Sequence, residues 1–169
     1  TAVYTANASD TDGAVTYSIA FSDTSGNAGT AVTSGSGSVT TDTTAPTLSN
    51  VSITSDNSTS TLAKANDDVT LTFTASEAIG TPVVTFRSGG DAITDGSVVY
   101  SNTSGNTWTA VYTANASDTD GAVTYSIAFS DTSGNAGTAV TSGSGSVTTD
   151  TTAPTLSNVS IASDNTNTS

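Results

Sequence analysis

The sequence predicts an all-β chain built from tandem β-sandwich repeats, and three observations predict it. Residues 1–53 recur without a change as residues 109–161, at an offset of 108. Repetition at a fixed period decides architecture before any single residue does. Every periodic stretch alternates apolar and polar residues with period two, and none has the 3.6 period of a helix. Clusters of Gly, Asn, Asp and Ser punctuate these runs at the short spacing of a sandwich.

The 108-residue period is an ordinary size for one sandwich domain. Residues 1–41 then form the C-terminal part of one repeat. Residues 42–149 make a complete repeat, and residues 150–169 supply a linker and the first strand of the next. The outer pieces are too short for cores of their own, so the chain reads as a window on a longer array.

Within the complete repeat, Leu48–Ile53 supplies the opening strand. Asp68–Ser76 reads DVTLTFTAS, with Val69, Leu71, Phe73 and Ala75 on one face and Thr70, Thr72, Thr74 and Ser76 on the other. That is the signature of a strand with one dry and one wet face. Thr81–Arg87 turns Val84 and Phe86 inward, and Gly96–Ser101 gives a shorter strand carrying Val98 and Tyr100. Thr107–Ala114 aligns Trp108, Ala110 and Tyr112. Gly121–Ser130 aligns Val123, Tyr125, Ile127 and Phe129. In Thr138–Thr149 the GSG triplet bulges or bends a last strand ending at Val147. The outward threonines favour the pleated state. Aromatics at these alternating positions are read as core, not as a sugar-binding platform.

DTTAP stands at Asp42–Pro46 and again at Asp150–Pro154. Proline fixes φ and extends the residue before it, so each copy reads as a short, stiff joint.

Composition narrows the function classes. Fifteen acidic residues face only Lys64 and Arg87, for a net charge of −13. Nucleic acid and anionic membranes call for basic patches, so both are excluded as expected partners. No apolar run approaches membrane-spanning length. There is no Cys and no His. The usual nucleophile–base pairs cannot be assembled, and the chain is expected not to be an enzyme. Carboxylate-rich loops instead suit divalent cations.

The segments DTTAPTLSNVSI, NDDVTLTFTASE, TWTAVYT and DGAVTYSIAFSDTSGNAG resemble bacterial immunoglobulin-like repeats. Such units form the extender regions of giant secreted adhesins and biofilm-associated surface proteins. The likeness runs through the whole repeat, although the Cys pair of antibody domains is missing and Trp108 opens a middle strand. It implies an immunoglobulin-like β-sandwich, a spacer role at the bacterial cell surface or outside the cell, and calcium at the domain junctions. Neighbouring repeats of the same chain are the implied partners.

In such a sandwich the loop aspartates gather at the two poles, and head-to-tail stacking brings unlike poles together. At the junction before the complete repeat, Asp10, Asp12 and Asp42 come from below, and Glu77 and Asp131 from above, with Asn135 nearby. At the next junction, Asp67, Asp118, Asp120 and Asp150 come from below. Calcium takes six to eight oxygens, and pressed-together carboxylates repel without a cation. The competing reading is that these residues cap turns and keep the surface soluble. DTDG is a fragment of an EF-hand loop, but its flanks are strands. An intramolecular isopeptide between Lys64 and Glu77 is disfavoured, because the two should lie at opposite poles. Two further functions remain open: a repeated ligand-binding module, for instance for carbohydrate, and lateral self-association into a filament or surface layer.

Overall fold

The computed structural model describes residues 1–94 and 96–164. Among them there are strands and turns but no helix. The strands are β1 (Gly13–Ala14), β2 (Thr40–Thr41), β3 (Leu48–Ser55), β4 (Leu62–Ala63), β5 (Asp68–Ala75), β6 (Val83–Ser88), β7 (Asp91–Ala92), β8 (Val99–Ser104), β9 (Thr107–Thr113), β10 (Gly121–Ala128) and β11 (Thr148–Thr149).

Residues 48–149 form two sheets, one in the order β3-β5-β9-β8 and the other β4-β11-β10-β6-β7. Pairings are antiparallel except β4 with β11, which run parallel. Four strands in this order against the β11-β10-β6 face give a two-sheet β-sandwich, with a small extra strand on each edge of the second sheet.

Alternation explains the packing. Along β5 every second residue is buried, and Val69, Leu71 and Phe73 are fully so. β10 contributes Val123, Tyr125 and Ile127, and β6 contributes Val84 and Phe86. The Phe86 and Tyr112 rings meet across the sandwich with centroids 4.8 Å apart and planes tilted by 45°, a favourable aromatic geometry. Trp108 is half-buried and packs against this core at the start of β9.

Three elements depart from the sequence expectation. The strand expected at 96–101 occupies Val99–Ser104, because Gly96 is held at φ 64° and cannot continue a pleat. The expected last strand is mostly irregular. It touches its neighbours through isolated bridges, Ile127 with Val140 and Ser52 with Ser144, before pairing regularly at Thr148–Thr149. Leu62–Ala63, outside every strand read from the sequence, is a short strand on the β11 edge.

The repeated segment 1–41 keeps the pairing of its copy: Gly13 stands opposite Thr41 as Gly121 does opposite Thr149. Its apolar face is exposed, however. Ile19 is 54% accessible, against 0% for Ile127.

Candidate functional site: the acidic joint at Asp42

The loop after β10 begins at Asp131, whose carboxylate organises the DTSGN turn. Asp131 Oδ1 accepts the backbone N–H groups of Ser133, Gly134 and Asn135 at 2.9, 2.7 and 2.8 Å. Its Oδ2 accepts from Asn135 Nδ2 at 2.7 Å. Burial pushes this carboxyl up. The hydrogen bonds from the Asn135 amide and from the N–H groups of Asn135, Gly134 and Ser133 together bring it below its ordinary value.

That turn grips the joint. Ser133 Oγ donates to Asp42 Oδ2 at 3.0 Å, and Asn135 Nδ2 donates to the Asp42 carbonyl at 3.1 Å. Glu77 follows β5 on the same side. Oxygens of Asp42, Glu77 and Asp131 lie within 4.8 Å of one another. Burial raises the Glu77 carboxyl, and the negative charges of Asp42, Asp131 and Asp12 raise it further. Three carboxylates with no cationic side chain among them repel, and a hard cation that takes oxygen ligands fits this donor set.

The other acidic residues singled out by sequence stand elsewhere. Asp12 clasps the joint: its Oδ1 accepts the Thr43 N–H and hydroxyl at 2.7 and 2.8 Å, and its Oδ2 accepts the Thr44 hydroxyl at 2.5 Å. The Thr44 and Thr43 hydroxyls, with the Thr43 N–H, lower its pKa. Asp120 repeats this clasp on Thr151 and Thr152, and its carboxyl is lowered by the Thr151 N–H and both hydroxyls. Asp150 accepts the Thr152 N–H at 3.1 Å. Asp10 bonds the Tyr4 hydroxyl and the Asn7 N–H. Its repeat, Asp118, is buried and accepts from the Thr94 and Asn115 N–H groups at 2.8 and 2.9 Å. Asp67 is buried and engaged by Lys64 and Asn57. Among the described residues, Asp42, Glu77 and Asp131 are the set that converges. Asp10, Asp12, Asp67, Asp118, Asp120 and Asp150 are not brought into it.

Sequence reasoning missed the aspartate–threonine clasp. A signal for it is present: the second Asp of each DTDG stands 31 and 32 residues before a Thr-Thr pair, twice over. Lys64 lies on Asp67 at 2.8 Å, away from Glu77.

Comparison of the chain with protein-family models, with curated proteins and with solved structures returns no match.

Proposed function

We propose that this chain is a stretch of a structural extender. In this reading it forms the stalk of a secreted bacterial surface adhesin or an extracellular fibre, with calcium stiffening the junctions between repeats. The observation that carries the reading is the joint at Asp42. Its carboxylate meets Glu77 and Asp131 within 4.8 Å, and Ser133 and Asn135 tie it to the following domain. A cation bound there contacts both the linker and the sandwich. It therefore couples the repeats and turns local repulsion into cohesion.

Identical copies of one module supply length in proportion to their number, and the stability of such an array approximates a sum of domain and nearest-neighbour terms. The aspartate–threonine clasps at both joints support the same reading, because each fixes the linker against the domain it leaves.

Thermal unfolding of the chain in millimolar calcium and in chelator tests the proposal. Calcium that binds the folded state alone should raise the melting temperature by a few degrees, and Glu77→Gln should shrink that gain. In chelator the same variant should melt no lower than the parent, since it relieves repulsion. A melting temperature indifferent to calcium would remove the cation from the mechanism.

A further inference from the structure

The first and last segments of the complete repeat lie side by side and run parallel. Gly143-Ser144-Gly145 lies against β3: the Ile53 N–H donates to the Ser144 carbonyl at 3.0 Å, and the Ser144 N–H donates to the Val51 carbonyl at 2.8 Å. Further along, the Thr148 N–H donates to the Thr61 carbonyl and the Asp150 N–H to the Ala63 carbonyl, both at 2.9 Å. The Ser52–Ser144 bridge and the β4–β11 pairing share the parallel sense. A β-carbon on Gly143 would collide with the Val51 carbonyl, and one on Gly145 with that of Ile53. Glycine is required here by close backbone approach. The sequence marked this triplet as a bulge, and the structure makes it the contact between the two ends of the repeat.

These segments leave the domain at opposite poles. β3 starts at Leu48, opposite Ala75, at the pole where the Asp131 turn grips Asp42. β11 ends at Thr149, opposite Gly121, at the pole where Asp120 clasps Thr151 and Thr152. β10 spans the distance between the poles, from Gly121 at one to the Asp131 turn just past its end at the other. Tension between the two linkers therefore draws β3 toward one pole and β11 toward the other. Parallel strands pulled this way slide along their own axes, and their hydrogen bonds are loaded together. A pull applied at one end of the pair opens the same bonds one after another.

We propose that this parallel pairing is a load-bearing lock, by which the complete repeat resists end-to-end tension. The glycines of the triplet admit β3 closely enough for the two bonds at Ser144, and the pairing of β4 with β11 adds the two at Thr148 and Asp150. The lock goes beyond the extender reading. A stalk needs length and stiffness, whereas the lock sets the force at which a repeat opens, and it needs no cation. Forced unfolding follows the unfolding rate and not the equilibrium stability, so force and its direction are the readout.

Single-molecule stretching of the whole chain in chelator tests it. The sequence has no Cys, so introduced thiols are unique handles. One geometry pulls from the two chain ends. The other keeps the N-terminal handle and places the second at Thr138→Cys, an exposed site that lines one surface hollow with Pro46 and Leu48 and so sits where β3 begins. Four bonds of similar strength loaded together should hold about two to four times the force of the same bonds opened in turn. Thr148→Pro removes one of the four donors at an exposed position. It should lower the end-to-end force by about a quarter and leave the force from position 138 unchanged. Equal opening forces in the two directions would overturn the proposal, and that comparison does not depend on the proline variant. So would a Thr148→Pro chain, folded by its Trp108 fluorescence, that weakens both directions alike or neither.

Discussion

Asp67 supplies a stability term that acid should remove. It is 7% accessible and closes the loop between β4 and β5. Its Oδ2 accepts the Lys64 N–H at 2.9 Å and Asn57 Nδ2 at 2.6 Å, and its Oδ1 takes the Lys64 ammonium at 2.8 Å. The Lys64 N–H, the Lys64 ammonium and the Asn57 amide lower its pKa from 3.8 to about 2. At 1.36 kcal/mol per pKa unit, that depression corresponds to about 2 kcal/mol. The Lys64 side chain is 67% accessible, so water screens its share, and about 1–2 kcal/mol is expected. The sign follows from linkage. The folded pKa lies below the unfolded one, so the contribution is complete above the unfolded value and is lost as pH falls from 4 through 2. Asp12, Asp120 and Asp131 are also depressed, so the acid limb of the parent alone does not isolate Asp67. Asp67→Asn keeps the shape of the side chain without its charge. Urea unfolding of parent and variant should therefore show a gap at pH 6 that narrows by about 1 kcal/mol at pH 2.5. An unchanged gap would refute the assignment. Trp108, the one tryptophan, lies just before the second copy of the repeat and reports on the complete domain alone.

Identical sequence in two settings provides matched controls for the remaining predictions. Ile127→Ala should cost about 2–5 kcal/mol in urea unfolding, because Ile127 is wholly buried. Ile19→Ala, the same change in the exposed copy, should leave the Trp108 transition within about 0.5 kcal/mol of the parent. Gly121→Ala should destabilise by about 1–3 kcal/mol more than Gly13→Ala. Both glycines have positive φ, 141° and 136°, but only at Gly121 does a β-carbon press on the Gly89 Cα, at 2.8 Å. Equal costs for the two substitutions would mean that backbone conformation, not contact, decides them.

Much of the sandwich was legible because burial on one face writes itself as alternation. β5 and β10 were bounded by sequence to within two residues, and their inward sets are the observed core. The last strand was less legible. Residues 138–147 are held by single bridges to β3 and β10, and such contacts depend on glycine geometry at 143 and 145, which leaves no periodicity. The acidic site was partly legible. Composition and turn chemistry marked every aspartate, but which of them converge depends on tertiary contact: Ser133 and Asn135 reach Asp42 from 91 and 93 residues away. Asp12 and Asp120 look like potential ligands in the sequence, yet each is turned onto the two threonines of its own joint and stays outside the Asp42, Glu77 and Asp131 set.

The two copies of the hairpin separate what local chemistry specifies from what packing adds. Both make the same ladder: Val15 with Val39, Ile19 with Val32, Phe21 with Gly29 and Asp23 with Asn27 in the first, and the corresponding four pairs in the second. Both turn around an aspartate that accepts from the same positions, Asp23 from Ser25 and Asn27 as Asp131 from Ser133 and Asn135. Register is thus set by the DTSGN turn and persists with the apolar face uncovered. Regular strand is not. Residues 123–128 extend β10 to eight residues because β6 pairs with them from Val83 to Ser88. The first copy, without such a neighbour, is regular only at Gly13–Ala14. The turn chooses which residues face each other, and the second strand and the core make that arrangement a sheet.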